Sequence, residues 1–468
     1  MDSFKKIYDS SGRTLRVLYI NAFGLRNRAR YRRWEKLIEN IEYTERLGRE
    51  AQIELVAGRL RDIIGFAIRK VPFYRRYARL EKELNESNVY DVLNELPVIA
   101  KEDINEDPEA FIAEGSSGYL TSRTSGTTGT PLYVHMDRYT FLLGDALWWR
   151  RTIWAGLERG DWVARLVGDP IIPLEEKRPS KPWIVSRLDR RVYLSTFHLN
   201  RETALSMGEI LNRRRPAFVM GYPSSLEILC SYLHESGFEI AYRPKKILFS
   251  SEPMYTHQEK IIRRVFDTEI SGLYGSGEKV ISAAQCEEGT YHLSLVDGYL
   301  EGQFGIMENR QPGAVTTLTN KVMPLIRYEI GDVIKAEPST RCRCGRTLPV
   351  IDPVITKQED WVITPSGRKI SPSAITWAFI HQDIRGIHKA QVVQEDEESV
   401  RVYLNTDEMN FEKYKEMLRE SMNDVFFGEM KVEIIRSDRI DVKRSGKSRF
   451  IVNKLREGYD DAAAHSES

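Results

Sequence analysis

The chain has 468 residues, more than one typical core requires, so we expect at least two domains. Lys and Arg total 69 against 68 Asp and Glu, and the net charge of +1 provides no overall field that would recruit nucleic acid or an anionic membrane. The N-terminus lacks the apolar core of a signal peptide, no apolar run reaches the length of a membrane span, and four cysteines do not suggest a disulfide framework. We therefore predict a cytoplasmic protein with reduced thiols, no membrane span and no nucleic-acid partner.

The first part of the chain is rich in helix formers. Apolar residues recur at helical spacing within 28–80, and Pro72 interrupts this pattern. From residue 120 onwards, short β-like runs alternate with helical stretches, which predicts an α/β sheet that is parallel at least in part. Several strands run directly into Gly, Ser or Thr turns, where open α/β sheets collect their ligands. The predicted strands are 162–168, 217–222, 246–251 and 270–277, and the predicted helices are 139–155, 202–213, 224–236 and 256–265.

A different pattern begins near residue 356. A predicted hairpin at 390–405 is followed by an amphipathic helix at 409–426 and a further strand at 431–436. This α+β unit has about the size of a separate domain. We therefore predict a large α/β domain over 1–355 and a small α+β domain over 356–468.

The most informative segment is TSRTSGTTGTP at 121–131. Its glycines allow a tight turn that approaches a ligand closely, and its hydroxyl groups add donors, so the segment could wrap a triphosphate. An isolated run of this kind is more often a polar surface turn, and the Walker pattern G-x-x-x-x-G-K-[ST] is absent. The residues concerned are Ser125, Gly126, Thr127, Thr128 and Gly129.

Further motifs follow this segment in order. They are SSEP at 250–253, YGSGE at 274–278, IRYEIGD at 326–332 and RSGKSRF at 444–450. The set resembles the adenylate-forming (acyl/aryl-CoA synthetase) superfamily, in particular its phenylacetate–CoA ligase-like branch and the capsular polysaccharide biosynthesis relatives. The resemblance extends from about residue 50 to 456. It implies a large multi-layer adenylation domain with a helical N-terminal region, and a small mobile C-terminal domain that carries a catalytic lysine.

The resemblance implies that ATP converts a carboxylic acid into an acyl-AMP with release of pyrophosphate. Such a reaction must hold two anions together and neutralise charge on the phosphates. Glu278 is implied to help hold Mg²⁺, and Lys447 to reach the carboxylate and the α-phosphate as a compact, mobile charge. Tyr274 would lie against adenine, and Asp332 would bond the ribose hydroxyls. The other implied ATP- and AMP-binding residues are Ser251, Glu252, Pro253, Gly275, Ser276 and Lys357, besides the 121–131 segment.

Two departures from the family pattern bear on rate and motion. Thr130 stands where many relatives have a lysine, which removes one cation from the phosphate segment. Residues 356–360, TKQED, stand at the inter-domain hinge, where the family usually has G-R-x-D-D. Lys357 can supply the charge of that arginine but not its planar fork, so domain rotation could differ.

Cys286, His292, Cys342 and Cys344 form a candidate zinc set. Three thiolates and one imidazole are a closed tetrahedral set of the structural kind, although C-x5-H and C-x-C are not standard finger spacings. Capsule-type members of the family resemble this arrangement. We therefore predict a structural zinc that joins the segment after YGSGE to the segment after IRYEIGD. Cys230 is predicted to be a core thiol.

The acid pocket is implied to lie near the helix at 140–154 and near GYPSS at 221–225, with 162–170 bordering it. Its candidate residues are Trp149, Gly221 and Tyr222. Arg150 and Arg151 fit either an acidic substrate or the protein surface.

The acceptor of the acyl group stays open. Relatives pass it to coenzyme A, to a carrier-protein phosphopantetheine or to an amine, and some transfer AMP itself to a hydroxyl. The interpretations are therefore an acid–thiol or acid–amine ligase, an adenylyltransferase, and a non-catalytic nucleotide-binding homologue. The joint presence of Glu278, Asp332 and Lys447 speaks against the last of these. The identity of the acid and the formation of a homodimer are also left open.

Overall fold

A computed structural model describes most of the chain. The described residues are 12–123, 132–158, 160–168, 171–173, 176, 179–252, 254, 256–305, 313–330, 332, 334, 336–337, 342–352, 362–366, 369–370, 375, 378–379, 387–406, 408–437 and 451–455. The chain divides into two units, one of Met1–Thr121 and His135–Ile355 and the other of Ser122–Val134 and Thr356–Ser468.

The first unit begins with two long helices, α1 (Arg13–Glu45) and α2 (Arg49–Lys70). The apolar positions of α2, such as Leu60 and Ile64, are fully buried. The helix ends before Val71 because the residue that precedes a proline disfavours the α conformation. Shorter elements follow, namely α3 (Ala78–Glu81), α4 (Val89–Glu95) and α5 (Lys101–Glu106), with 3₁₀ turns at Pro72–Tyr77 and Pro108–Phe111.

A large mixed sheet forms the centre of this unit. Its strands are β3 (Val163–Leu166), β4 (Trp183–Ser186), β5 (Arg191–Leu194), β6 (Phe218–Gly221), β7 (Lys246–Ser250), β8 (Ile270–Gly275), β9 (Ser282–Gln285), β10 (Tyr291–Leu293), β14 (Ala336–Glu337) and β15 (Val350–Ile351). Their order over the described residues is β14-β15-β10-β9-β8-β7-β6-β3-β5-β4, and the block β8-β7-β6-β3-β5 is parallel. Antiparallel strands extend the block on both sides.

Side chains alternate between the two faces of the parallel block, as strand geometry requires. Ala164 and Val219 face a cluster that includes residues of α7 (Arg201–Arg214), α8 (Pro223–Glu235) and α9 (Thr256–Phe266). Val163, Phe218 and Leu248 face the opposite side, where Trp148 of α6 (Arg138–Trp154) packs on them. The sheet is therefore covered by helices on both faces.

Arg150 and Arg151 of α6 are both 1% exposed, so the surface role left open for them is wrong. Arg150 forms a buried ion pair with Glu45 of α1. A buried charge that loses its partner is strongly destabilising, because the desolvation of the remaining charge is costly.

We expect Arg150→Met to lower the free energy of unfolding of the first unit by about 3–5 kcal/mol, since it leaves the Glu45 carboxylate buried and unpaired. Urea unfolding followed by tryptophan fluorescence measures this loss. The double variant Glu45→Gln/Arg150→Met should recover much of it. A single variant within about 1 kcal/mol of the wild type would contradict this role.

Smaller sheets complete the first part of the chain. Strands β11 (Gly298–Leu300), β12 (Ala314–Thr317) and β13 (Tyr328–Glu329) form an antiparallel sheet, and β1 (Leu120–Arg123) pairs with β2 (Tyr133–Met136). Gly298 is required where β11 passes Val280, because a Cβ would lie 1.6 Å from the carbonyl oxygen of Val280.

The second unit has its own sheet and core. Strands β18 (Ile387–Gln394), β19 (Ser399–Thr406), β20 (Lys431–Arg436) and β21 (Ile451–Asn453) pair in the order β20-β19-β18-β21. The helix α10 (Glu408–Val425) buries an apolar stripe, including Tyr414 and Leu418, in the same core as Val402 and Ile434. A two-stranded sheet, β16 (Val362–Ile363) with β17 (Lys369–Ile370), contributes Val362 and Ile370 to that core.

The α/β fold class and the elements predicted from periodicity are confirmed, including the hairpin and helix of the second unit. Strands β4 and β5, of four residues each, were not predicted from the sequence. Ile184 of β4 and Tyr193 of β5 cluster with Ile20 of α1, a contact distant in sequence. Within the described part of the chain, no helix combines the length and apolarity that a membrane crossing needs.

Candidate functional site

The carboxyl ends of four parallel strands meet at one edge of the central sheet. Leu166 of β3 pairs with Gly221 of β6, Gly221 with Phe249 of β7, and Ser250 with Leu273 of β8. The residues that follow these strands therefore share one edge, the usual place for ligands in open α/β sheets. The predicted residues Tyr222, Ser251, Glu252, Gly275, Ser276 and Glu278 all follow or end these strands.

Tyr274 and Asp332 come together at this edge. The Tyr274 hydroxyl donates a hydrogen bond of 2.9 Å to Oδ2 of Asp332, although 58 residues separate them. Burial raises the pKa of Tyr274 well above its ordinary value, so the hydroxyl stays protonated and remains a donor. This bond fixes the orientation of the Asp332 carboxylate.

Glu278 is held in a similar way. It is 9% exposed, and Oε1 accepts a hydrogen bond of 3.0 Å from the Tyr328 hydroxyl. Burial raises the pKa of Tyr328, which keeps this group a donor as well. The YGSGE and IRYEIGD motifs are therefore joined by two tyrosine–carboxylate hydrogen bonds, one in each direction. A carboxylate is the kind of hard oxygen ligand that Mg²⁺ prefers.

Arg327 supports this junction, a role that was not predicted from the sequence. Its Nε lies 2.7 Å from Oε1 of Glu301, which is fully buried, and its Nη1 donates to the carbonyl oxygens of Asn94 and Leu96 at 3.0 and 2.7 Å. Arg327 also has a φ of 53°, in the left-handed region. Because Tyr328 follows directly, these contacts set the position from which its hydroxyl reaches Glu278.

Ser251 occupies the turn after β7 with a φ of 72°. A non-glycine residue in the left-handed region is strained, and such strain concentrates at functional sites. Glu252 follows it and is 9% exposed.

A cavity of about 200 Å³ opens between α6 and the ends of β3, β6 and β7. Gly221 and Tyr222, both predicted for the acid pocket, line it. Trp149 instead packs against Trp34 of α1, with ring centroids 5.8 Å apart, while its neighbour Trp148 lines the cavity. The full lining is Trp148, Arg151, Arg165, Val167, Met220, Gly221, Tyr222, Leu248, Ser250 and Ser251.

Gly221 allows the close approach of α8 to the sheet. A Cβ at this position would lie 2.8 Å from Cγ of Leu226 and 3.1 Å from the carbonyl oxygen of Leu166. A side chain here would therefore push either the helix or β3 away from the cavity.

Cys286, His292, Cys342 and Cys344 form a cluster in which the four candidate ligand atoms lie within 4.8 Å of one another. The Sγ atoms of Cys286 and Cys342 are 3.6 Å apart, and Sγ of Cys344 lies 3.3 Å from Nε2 of His292. Ligands on a tetrahedral zinc at ~2.3 Å (sulfur) and ~2.0 Å (nitrogen) would lie about 3.5–3.8 Å apart. The cluster therefore has the dimensions of a zinc site.

The surroundings of the cluster suit a metal. His292 is fully buried, and burial lowers its pKa to about 4, so the ring is neutral near pH 7. Its Nδ1 lies 3.5 Å from the carbonyl oxygen of Leu348, an arrangement that orients Nε2 toward the thiols. Cys230 of α8 lies apart from the cysteine–histidine cluster and is fully buried in the apolar core, as predicted.

Several predicted residues lie outside the described residues. These are Ser125, Gly126, Thr127, Thr128 and Gly129 of the phosphate segment, Pro253, Lys357 and Lys447.

Most of the second unit matches a known protein family. Residues 362–454 match the family described as the CapK C-terminal domain. Protein CapK of Staphylococcus aureus is 21% identical over 412 residues, which cover 86% of this chain and 89% of CapK. Indoleacetate–lysine synthetase of Pseudomonas savastanoi is 31% identical over 130 residues, or 26% of this chain and 31% of that protein.

Solved structures of a 2-hydroxyisobutyryl-CoA ligase share the fold. The form with 2-HIB-AMP and CoA in the thioesterification state has a TM-score of 0.55 and 17% identity, and covers 90% of this chain and 94% of its own. The form with R3-HIB-AMP in the postadenylation state has a TM-score of 0.53 and 18% identity, with 91% and 94% covered. The predicted resemblance to the adenylate-forming superfamily is confirmed, and the chain has the fold of its ligases.

Proposed function

We propose that this protein uses ATP to activate a carboxylic acid as an acyl-AMP with release of pyrophosphate. The observation that carries the proposal is the pair of hydrogen bonds that joins Tyr274 to Asp332 and Tyr328 to Glu278 at the carboxyl edge of the sheet. Two carboxylates are thereby fixed at the edge of the sheet where β7, which leads into Ser251, pairs with β8. The branch we favour is the phenylacetate–CoA ligase-like one.

In this proposal the described residues bind and orient the nucleotide. Asp332 accepts hydrogen bonds from the ribose hydroxyls, with its carboxylate held by Tyr274. Glu278 would hold Mg²⁺, which when bound neutralises charge on the phosphates. Lys447 would reach the carboxylate and the α-phosphate, and the 121–131 segment and Lys357 would contact the phosphates, as the family resemblance implies.

The thiol–imidazole cluster would hold a structural zinc. Its ligands come from the turn after β9, from β10 and from the segment before β15, so the metal would tie these strands together. With all four ligands from the protein, the site would be closed and would take no part in the chemistry.

We favour coenzyme A or a phosphopantetheine thiol as the acceptor. The support is the fold shared with a ligase captured with CoA. An amine acceptor is the second candidate. It is favoured by the local similarity to indoleacetate–lysine synthetase, which is named for a product of an acid and an amine.

The test incubates the protein with ATP, Mg²⁺, a panel of carboxylic acids and either coenzyme A or an amine such as lysine. We expect free AMP and an acyl-thioester, detected by mass spectrometry. Free AMP with an acyl-amide would select the second acceptor. A product that retains AMP on a hydroxyl group would indicate an adenylyltransferase and contradict the proposal.

A further inference from the structure

The acid cavity contains two arginines. Arg151 reaches it from α6 and Arg165 from β3. Both guanidinium groups lie near the Trp148 ring, with Cζ atoms 5.4 and 5.9 Å from its centroid. No Asp or Glu lines the cavity among the described residues, and Asp169 lies outside them. The described walls therefore carry positive charge.

Arg151 differs from its neighbour Arg150 in its partners. Arg150 pairs with Glu45, whereas Arg151 donates from Nη1 to the carbonyl oxygen of Phe249 at 2.6 Å and pairs with no described carboxylate. Its Nε has no hydrogen-bond partner among the described residues. Burial lowers the pKa of Arg151 to about 9, so the group is still charged near pH 7. A buried cation of this kind is stabilised by an anion that enters the cavity.

We propose that the acid activated at this site is a short dicarboxylic acid, and that Arg151 and Arg165 bind its second carboxylate. This inference rests on the proposed function. The planar guanidinium fork matches a carboxylate. Ser250 and Ser251, at the strand end where the proposed function places the nucleotide, line the same cavity. A volume of about 200 Å³ is below the roughly 300–1,000 Å³ of pockets that hold drug-sized ligands, which favours a short acid.

The reacting carboxylate is a poorer partner for these arginines. Adenylation turns that carboxylate into a mixed anhydride, so the acyl group loses its charge and the negative charge stays on the phosphate of the AMP. A second carboxylate keeps its charge through the reaction. It therefore offsets the desolvation of Arg151 in the substrate and in the product alike.

The test compares acids of equal length by kcat/KM for acid-dependent pyrophosphate release: succinate with butyrate, and glutarate with valerate. The wild type should prefer the dicarboxylic acids by about 100-fold or more. A monocarboxylic acid has no second carboxylate to accept hydrogen bonds from the guanidinium groups, so it binds this site poorly. Arg151→Met and Arg165→Met should each reduce this ratio by at least about 10-fold.

Arg150→Met is the matched control. It removes a buried arginine from the adjacent position, and the ratio between two acids does not depend on the fraction of folded enzyme. We expect the ratio to stay that of the wild type. Arg151→Lys should recover part of the preference, since it restores charge without the planar fork.

Isothermal titration of succinate separates this inference from the proposed function. Succinate that binds the wild type but not Arg151→Met, without pyrophosphate release from any acid, would support the inferred role of Arg151 in carboxylate binding and reject acid activation. A preference for butyrate over succinate, or a ratio unchanged in both methionine variants, would overturn the inference while acid activation stands. If succinate and glutarate neither bind nor react, the inference is likewise wrong.

Discussion

Glu278→Gln is expected to reduce acid-dependent pyrophosphate release by about 100- to 1,000-fold. The substitution keeps an oxygen that can accept the hydrogen bond from Tyr328, whose donor atom lies 3.0 Å from Oε1, so the packing of the junction is preserved. It removes the negative charge that would hold Mg²⁺ beside the phosphates. Initial rates measured as a function of magnesium concentration should show that the loss is only partly recovered at high Mg²⁺.

The matched control is Glu202→Gln, which changes an exposed glutamate in the first turn of α7. Its rate should equal that of the wild type. Tyr328→Phe should give an intermediate loss of about 10-fold, since it removes one hydrogen bond to a charged group but leaves the carboxylate in place. If Glu278→Gln kept the wild-type rate at low Mg²⁺, the assignment of Glu278 to the nucleotide site would be wrong.

Cys344→Ser is expected to release a bound zinc ion and to lower the free energy of unfolding of the first unit by several kcal/mol. The purified wild type should contain about one zinc per chain, because the ligand set is complete and closed. The thiol of Cys344 lies 3.3 Å from Nε2 of His292, so its loss removes one ligand and one thiolate charge together. Metal analysis by mass spectrometry and thermal unfolding with and without a chelator measure both effects.

Cys230→Ala provides the control for this experiment. It also removes a buried thiol, but one that packs in the core with Leu229 and Ile247, away from the cluster. It should lower stability through the loss of packing and leave the zinc content unchanged. The structural zinc would be contradicted if the purified wild type contained no zinc and a chelator did not change its thermal unfolding.

Much of the fold was predictable because it depends on local patterns. The alternation of apolar strands with amphipathic helices predicted β3, β6, β7 and β8 and the helices between them. Alternating and helical periods likewise predicted the hairpin and α10 of the second unit. The strands β4 and β5 were not predicted because they are short and one face of each packs with Ile20 of α1, a residue more than 150 positions away.

The candidate site was predictable as a set of motifs but not as a geometry. The order of YGSGE and IRYEIGD indicated Tyr274, Glu278 and Asp332, yet the tyrosine–carboxylate bonds join residues 50 and 58 positions apart. The role of Arg327 depends on carbonyl oxygens of α4 and its C-terminal end, which no spacing indicates.

The two arginines of α6 show the same limit most clearly. Arg150 and Arg151 are adjacent in sequence and equally buried. A helix turns by 100° per residue, so neighbouring side chains point in different directions. One arginine meets Glu45 of α1 and the other lines the cavity, and only the packing of α6 between α1 and the sheet separates their roles.

The central claim, acid activation by ATP, is tested most directly by isotope exchange between ATP and pyrophosphate. The exchange reports the reversible formation of acyl-AMP without any acceptor, so it does not depend on whether a thiol or an amine receives the acyl group. We predict exchange that requires both Mg²⁺ and a carboxylic acid and that is lost in Lys447→Ala. Binding of ATP without exchange for any acid in a broad panel would contradict the account and favour a non-catalytic nucleotide-binding protein.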